Sequence, residues 1–312
     1  MGQQANAALP GGFQIEGYTI DRQLSLGGFS IVYLAHDQTG QEVAIKEYLP
    51  NSLALRGEGE AKPAIQTEHQ GAFRYGMKCF FEEGKALASL SHPNVVRVIN
   101  FFRANDTVYM VMKYEQGRTL QEFIHKHLGH ISERFIRGMF VRLLNGLRVV
   151  HSSKLLHLDI KPSNIYLRVD NTPVLLDFGA ARQTLSSGTP MLKPMYTPGF
   201  ASPEHYGERK NLGPWSDIYG IGAAMYACLS GVTPQAADAR MKRDQLIPAM
   251  ARWEGQLSDH LLETIDWCLN LNHLYRPQSA FALQKALLEN SKAPVKPTRP
   301  ASWFARLFAR KS

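Results

Sequence analysis

The feature that most limits how this chain can fold is a change in the period of its hydrophobic pattern between residues 112 and 119. Upstream, apolar residues come in short runs: Ile31-Val32-Tyr33-Leu34, Val43-Ala44-Ile45 and Val108-Tyr109-Met110-Val111-Met112. Runs of that length and composition read as strands, interrupted by one helix over about 73–89. Downstream the spacing becomes helical. Thr119-Leu120-Gln121-Glu122 is a capping box, in which a hydroxyl and a carboxylate each satisfy a free backbone donor. Ser132 precedes a stripe of Ile136, Met139, Phe140, Leu143, Leu144, Leu147 and Val150, the spacing of one long amphipathic helix. Further helices are expected over about 216–230, 258–270 and 278–290. A chain that places its strands first and its helices afterwards is of the α+β class, folded as two lobes with a cleft between them. The expected divisions are a loose Gly-, Ala- and Gln-rich leader over 1–17, a strand-rich lobe over 18–112, a helical lobe over 113–290, and a linker with a short tail over 291–312.

Charge narrows the range of partners. The 312 residues carry 35 Lys and Arg against 27 Asp and Glu, a formal excess of +8. Six of those eight charges are Lys292, Lys296, Arg299, Arg306, Arg310 and Lys311, in a terminal stretch with no acidic residue. The globular part is therefore nearly balanced, and a nucleic-acid-binding face on it is not expected. Cys79, Cys228 and Cys268 are odd in number, widely separated and without metal-ligand spacing, which reads as reduced thiols. The longest apolar run, Ile218 to Leu229, is too short to span a bilayer. Asn6 stands where a myristoylation motif requires Ser or Thr, and there is no charged-then-apolar signal pattern. A cytoplasmic location is expected.

Four separated segments point to one chemistry. Leu24 to Tyr33 contains Gly27-Gly28 between two strands, a turn whose backbone can approach a polyphosphate without obstruction from Cβ atoms. Val43-Ala44-Ile45-Lys46 sets a lysine at the end of an apolar strand. His157-Leu158-Asp159-Ile160-Lys161-Pro162-Ser163-Asn164 follows the long helix. Asp177-Phe178-Gly179 follows a short strand from Pro173 to Leu176.

In order and spacing this set resembles the eukaryotic-type protein kinase superfamily over about residues 18–288. Lys46-Glu47-Tyr48-Leu49-Pro50 and Ser202-Pro203-Glu204 are similar to bacterial members. The resemblance implies a two-lobed kinase fold, with an antiparallel sheet and one main helix in the N-lobe and a helical C-lobe. It implies transfer of the ATP γ-phosphate to protein Ser or Thr hydroxyls, autophosphorylation, and Mg²⁺ (with Mn²⁺ as an alternative) as the metal. It assigns Lys46 to the α- and β-phosphates and Glu83, in preference to Glu82, as its ion-pair partner. Asp159 would accept or orient the substrate hydroxyl proton, and Lys161 would neutralise the transferring phosphoryl group. Asn164 and Asp177 would hold the metal. Leu24, Gly27, Gly28, Val32, Ala44, Met112, Tyr114 and Tyr166 would line the ATP site, with hinge bonds from the backbone of Lys113 to Glu115. Thr197 would shape the peptide groove, as in Ser/Thr kinases. Glu204 would pair with Arg276, and Asp217 would hold the catalytic loop from below. Leu87, Val98, His157 and Phe178 would form an apolar column between the lobes. A metal-dependent protein phosphatase is the implied antagonist.

Several positions depart from the family pattern. Ser25 and Ser30 replace two loop glycines. Tyr166 replaces an aliphatic residue on the pocket floor. Leu158 replaces the arginine that usually precedes the catalytic aspartate and holds an activation-loop phosphate. Phosphorylation at Thr184, Ser186, Ser187, Thr189 or Thr197 thereby loses one main route to switching activity. The stretch between Lys46 and Glu83 is long; its Gly57-Glu58-Gly59-Glu60 reads as a solvated insertion, or as a docking element acting on the helix that carries Glu83. The alternatives in function are a pseudokinase scaffold, against which Lys46, Asp159 and Asp177 all stand, and a small-molecule kinase, which lacks the Ser-Pro-Glu segment and its Arg276 partner.

Beyond the Pro-containing linker, residues 303–311 place Trp303, Phe304, Leu307 and Phe308 on one helical face and cations mostly on the other. Such a segment suits an anionic membrane surface or a partner protein; packing on the globular part and disorder are the other readings. Co-sedimentation with anionic liposomes should be stronger for the full chain than for a truncation at Glu289. Equal pelleting excludes the membrane reading.

Overall fold

The computed structural model describes residues 6–178, 196–207 and 209–289. The strand-rich half forms one six-stranded sheet. Its strands are β1 (Gln14–Ile15), β2 (Tyr18–Leu26), β3 (Ser30–Asp37), β4 (Glu42–Tyr48), β5 (Val98–Ala104) and β6 (Thr107–Lys113), in the order β1-β2-β3-β4-β6-β5. Every adjacent pair is antiparallel. Helix α1 (Gln70–Ala88) packs against β5 and β6.

After β6 come β7 (Gly117–Thr119), α2 (Leu120–His127) and α3 (Glu133–Ser152). Both expected caps are formed. Thr119 Oγ1 accepts from Glu122 N–H while the Glu122 carboxylate accepts from Thr119 N–H, and Ser132 accepts from Phe135 N–H. The whole predicted α3 stripe from Ile136 to Val150 is buried. Strands β8 (Ile165–Arg168) and β9 (Pro173–Leu175) join β7 in a small antiparallel sheet. Helices α4 (Pro214–Ser230), α5 (Ala237–Lys242), α6 (Ala249–Arg252), α7 (Asp259–Cys268) and α8 (Ala280–Leu288) complete the helical lobe among the described residues. The expected two-lobed α+β arrangement is present, with α5 and α6 as short helices that had no periodic signature.

One expectation is corrected. Residues 6–17 are not a loose leader: Asn6 and Leu9 are buried, and Gln14–Ile15 pairs with β2. A side-chain network draws this segment down. Asn6 Nδ2 donates to Asn51 Oδ1 at 2.7 Å and Ala54 O at 3.2 Å, while its Oδ1 accepts from Arg56 N–H at 2.6 Å. Arg56 in turn makes two parallel bonds to Glu47, Nη1 to Oε1 at 2.6 Å and Nη2 to Oε2 at 2.8 Å, with both side chains wholly buried. Tyr33 and Tyr109 each donate a hydroxyl to the same carboxylate. Burial and the Glu47 charge push both phenols well above their ordinary range. The tip of the insertion, Gly57 to Glu60, is exposed as expected, but its base supplies Arg56 to the interior.

Side chains along β4 alternate between the two faces of the sheet. Glu47 meets Arg56, Tyr33 and Tyr109, while its neighbour Tyr48 packs its ring on Phe73 and Phe80 of α1. A Cβ on Gly76 would overlap the Tyr48 hydroxyl, so a glycine is required where α1 crosses β4.

Arg56→Ala leaves the Glu47 carboxylate buried without its guanidinium. Denaturant unfolding should show a loss of about 3–5 kcal/mol, the cost of breaking one side of a buried pair. The double variant Arg56→Met/Glu47→Leu should be more stable than Arg56→Ala.

Candidate active site

The loop from His157 to Asn164 is tied to α4 from below. Asp217, in the first turn of that helix and fully buried, accepts from Leu158 N–H at 2.7 Å and His157 N–H at 3.0 Å. His151 Nε2 lies 2.8 Å from Oδ2, the oxygen that also accepts from His157 N–H. Burial alone would raise the Asp217 carboxyl, but the bonds and charge of His151, with a smaller contribution from His157, hold it below the usual carboxylate range. A Cβ on Gly220, one turn further along α4, would press on the Ile160 carbonyl at 2.9 Å. The glycine lets helix and loop touch.

This anchoring gives Leu158 a left-handed backbone, φ 63°, rare for a residue with a branched side chain. Asp159 projects beyond it. Its Oδ1 accepts from Thr197 Oγ1 at 2.8 Å, and its Oδ2 accepts from Lys161 Nζ at 2.7 Å and Asn164 Nδ2 at 3.0 Å. Lys161 also donates to Thr197 Oγ1 at 2.6 Å. Thr197 thus bridges Asp159 and Lys161.

His157 is oriented from both ring nitrogens. Asp159 N–H donates to Nδ1 at 3.3 Å, so Nε2 carries the proton and donates to Leu176 O at 2.8 Å. Its ring lies 4.4 Å from that of Phe178, centroid to centroid, and Leu87 and Val98 are buried as the apolar column requires.

From the other lobe, Lys46 on β4 forms an ion pair with Asp177, across 131 residues of chain. Asp177 also has a left-handed backbone. On α1, Glu83 is buried and Glu82 is exposed, so Glu83 is the one facing inward. Leu24, Val32, Ala44, Met112, Tyr114 and Tyr166 are all half-buried, whereas the strand neighbours Ile31, Tyr33, Val43, Ile45 and Val111 are fully buried. Ala44 and Met112 face each other across β4 and β6. A row of half-buried apolar positions beside a filled core is what the wall of an open cleft looks like. In the glycine turn, Gly27 N–H donates to Ser30 O, and a Cβ on Gly28 would meet nothing within 4 Å. The room above the turn is open.

The donor chemistry fits a hard divalent cation. Asn164 uses its NH₂ group on the Asp159 backbone and carboxylate, leaving its amide oxygen for a metal. Leu176 N–H donates to Asn164 O, which brings the adjacent Asp177 alongside. One amide oxygen and one carboxylate suit a cation that keeps several waters and takes phosphate oxygens for the rest. No group of three or more His, Cys, Asp or Glu forms a closed protein cage among the described residues.

Glu204 and Arg276 form the expected buried bridge, with Nη1 to Oε1 at 2.8 Å and Nη2 to Oε2 at 2.9 Å. Arg276 also donates to the carbonyls of Asn270, Trp215 and Leu271. Two residues that no motif flagged, His151 and His205, bind this framework as well. His205 directly follows Glu204, and that adjacency was its only signal. Gly179, the loop sites Thr184, Ser186, Ser187 and Thr189, and residues 291–312 with their tail lie outside the described residues.

A protein kinase domain matches residues 18–288. The chain belongs to the protein kinase family. It is 31% identical over 235 residues to Serine/threonine-protein kinase B of Synechocystis sp., covering 71% of this chain and 40% of that protein. It is 28% identical over 284 residues to Serine/threonine-protein kinase PknA of Nostoc sp., covering 87% and 46%. The chain therefore spans less than half the length of these curated relatives. Among solved structures it is similar to PpkA-294 in its apo form, with a TM-score of 0.79, 34% identity, and coverage of 90% of this chain and 99% of that one. The PknI kinase domain of Mycobacterium tuberculosis shares the fold at a TM-score of 0.66 and 19% identity, covering 90% and 98%. These relatives bear out the resemblance to bacterial eukaryotic-type kinases and the kinase fold inferred from the motifs.

The kinase framework has a definite acid response. Burial opposes the Glu204 charge, but Arg276 and Ser216 hold its carboxyl below the ordinary value, as the histidines do for Asp217. Carboxyls depressed in the folded state stabilise it above their unfolded range and lose that contribution as pH falls. Unfolding free energy should therefore decline below about pH 4.5. Glu204→Gln should lower stability at neutral pH and make the acid decline shallower in a denaturant series across pH.

Proposed function

We propose that this chain is a Ser/Thr protein kinase that transfers the ATP γ-phosphate to protein hydroxyls, including its own. The observation that carries the reading is the convergence of Lys161, Thr197 and Asn164 on the Asp159 carboxylate, with Asn164 also holding Leu176, next to the Asp177 that pairs with Lys46. In this reading Asp159 orients the incoming hydroxyl and accepts its proton. Lys161 holds positive charge beside the same carboxylate, where a phosphoryl group in transfer accumulates negative charge. Lys46 exchanges Asp177 for the α- and β-phosphates, with buried Glu83 as its partner on α1. Asn164 and Asp177 would hold Mg²⁺ or Mn²⁺, which when bound would supply positive charge against the phosphates. Adenine lies between Val32 and Ala44 above and Tyr166 below, against Met112. Thr197 fixes the groove for a Ser or Thr side chain.

The curated relatives named as Ser/Thr-protein kinases support this class over a small-molecule kinase. The presence of Lys46, Asp159 and Asp177, with Lys46 paired to Asp177 and Asp159 held by Lys161, Asn164 and Thr197, argues against a pseudokinase scaffold. A metal-dependent protein phosphatase as antagonist and docking through residues 303–311 belong to the same proposal. No described helix is long and apolar enough to cross a membrane, and a cytoplasmic location, with peripheral membrane contact through the tail, is part of it too.

Incubation with labelled ATP and Mg²⁺ should label the protein, with phosphosites on Ser and Thr by mass spectrometry. Asp159→Asn should reduce incorporation about 10²–10³-fold, the scale of losing one group that acts in the transition state. ATP binding with equal, background labelling of wild type and Asp159→Asn would establish the scaffold instead.

A further inference from the structure

Leu158 has a left-handed backbone, which brings the Cβ of an L-residue too close to the following carbonyl oxygen, so its conformation must be imposed from outside. Its N–H is held by Asp217. Its carbonyl accepts from His205 Nε2 at 3.1 Å. The peptide unit from Leu158 to Asp159 is consequently gripped on both edges by imidazoles: His205 on its C=O, His157 on its N–H at 3.3 Å. Rotation of that plane would swing the Cα–Cβ bond of Asp159.

The His205 tautomer follows from its other nitrogen. Ser202 N–H donates to Nδ1 at 3.2 Å, and Ser202 Oγ lies 2.8 Å away. Nδ1 is therefore an acceptor, and Nε2 carries the hydrogen given to Leu158. Burial favours the neutral ring, against the charges of Asp217 and Glu204. His205 lies on the 3₁₀ turn Pro203–Tyr206 together with Glu204, which is fastened to Arg276. The turn that bears His205 is thus rigidly mounted.

We propose that His205 is a positioning residue for phosphoryl transfer. It clamps the Leu158 carbonyl and so aims the Asp159 carboxylate, linking the Ser202–Glu204 segment to the catalytic loop by a neutral hydrogen bond. Leu158 has no charge with which to receive a loop phosphate; the His205 bond fastens the catalytic loop without one. The inference rests on the assignment of Asp159 made under the proposed function.

Two substitutions separate the two nitrogens. Gln can place its NH₂ near the Nε2 position and reach Leu158. Asn can place its oxygen near Nδ1 and keep the Ser202 contact, but is too short for Leu158. Both variants are to be assayed after phosphatase treatment, so that loop phosphates cannot substitute, at a temperature where unfolding curves show both folded. His205→Gln should keep kcat within about threefold of wild type, and His205→Asn should lose about tenfold or more, since small misplacements of a catalytic group are costly. KM for ATP should change less than about twofold in either, because nucleotide contacts are untouched. Equal kcat in the two variants, or a loss in His205→Asn that appears in KM alone, overturns the proposal. Asp159→Asn assayed alongside isolates the underlying assignment: full activity there overturns both, whereas an inactive Asp159→Asn with equal Gln and Asn variants overturns only the part given to His205.

Discussion

The catalytic half of the molecule depends on a carboxylate that never meets solvent. Asp217 accepts two consecutive backbone N–H groups, from His157 and Leu158, and lies beside His151 as well. A single buried anion therefore replaces the backbone partners that a tight turn would otherwise lack. Once the turn is held there, Leu158 is forced left-handed, Asp159 is presented to the cleft, and His157 is set against Phe178. The closeness of α4 permitted by Gly220 is part of the same arrangement. Remove the anion and the loop has no reason to prefer this path.

The strand-rich lobe is organised around a second buried carboxylate, Glu47, next in sequence to Lys46. Its four donors come from β3, β6 and the base of the insertion. That places a fixed point one residue from the lysine that faces Asp177. The same cluster recruits residues 6–9, since Leu9 N–H donates to the Tyr33 hydroxyl and Ala7 exchanges bonds with Arg56. Two unrelated stretches, the leader and the insertion, thus become one cover on one side of the sheet.

Much of this was legible from residues alone. The α3 stripe and the Thr119 and Ser132 caps are local patterns, whose meaning is set within one or two turns. The motif residues Lys46, Asp159, Asn164 and Asp177 were legible as a set because their order and spacing resemble the kinase signature. Glu83 in preference to Glu82 came from the family resemblance alone, and Glu83 is the buried one of the two. What escaped is non-local. Asn6 looks like any polar residue in a Gly- and Ala-rich stretch until Asn51, Ala54 and Arg56 are brought to it. Arg56 looks like one charge in a balanced loop. His205 has no periodic or spacing signature, and its partners Ser202 and Leu158 are 3 and 47 residues away. The Lys46–Asp177 pair spans the two lobes, so no strand or helix pattern could announce it.

The contact between Tyr48 and Gly76 constrains how the helix carrying Glu83 can travel. Cβ-bearing residues one turn either way, Phe73 and Phe80 among them, would strike the Tyr48 hydroxyl if α1 slid along its axis. Axial sliding is thereby blocked. Glu83 lies seven residues further along the same helix, about 10 Å away at 1.5 Å per residue. In mechanical terms the missing side chain at Gly76 is a notch that indexes the helix against the sheet, and the depth at which Glu83 stands is set by it.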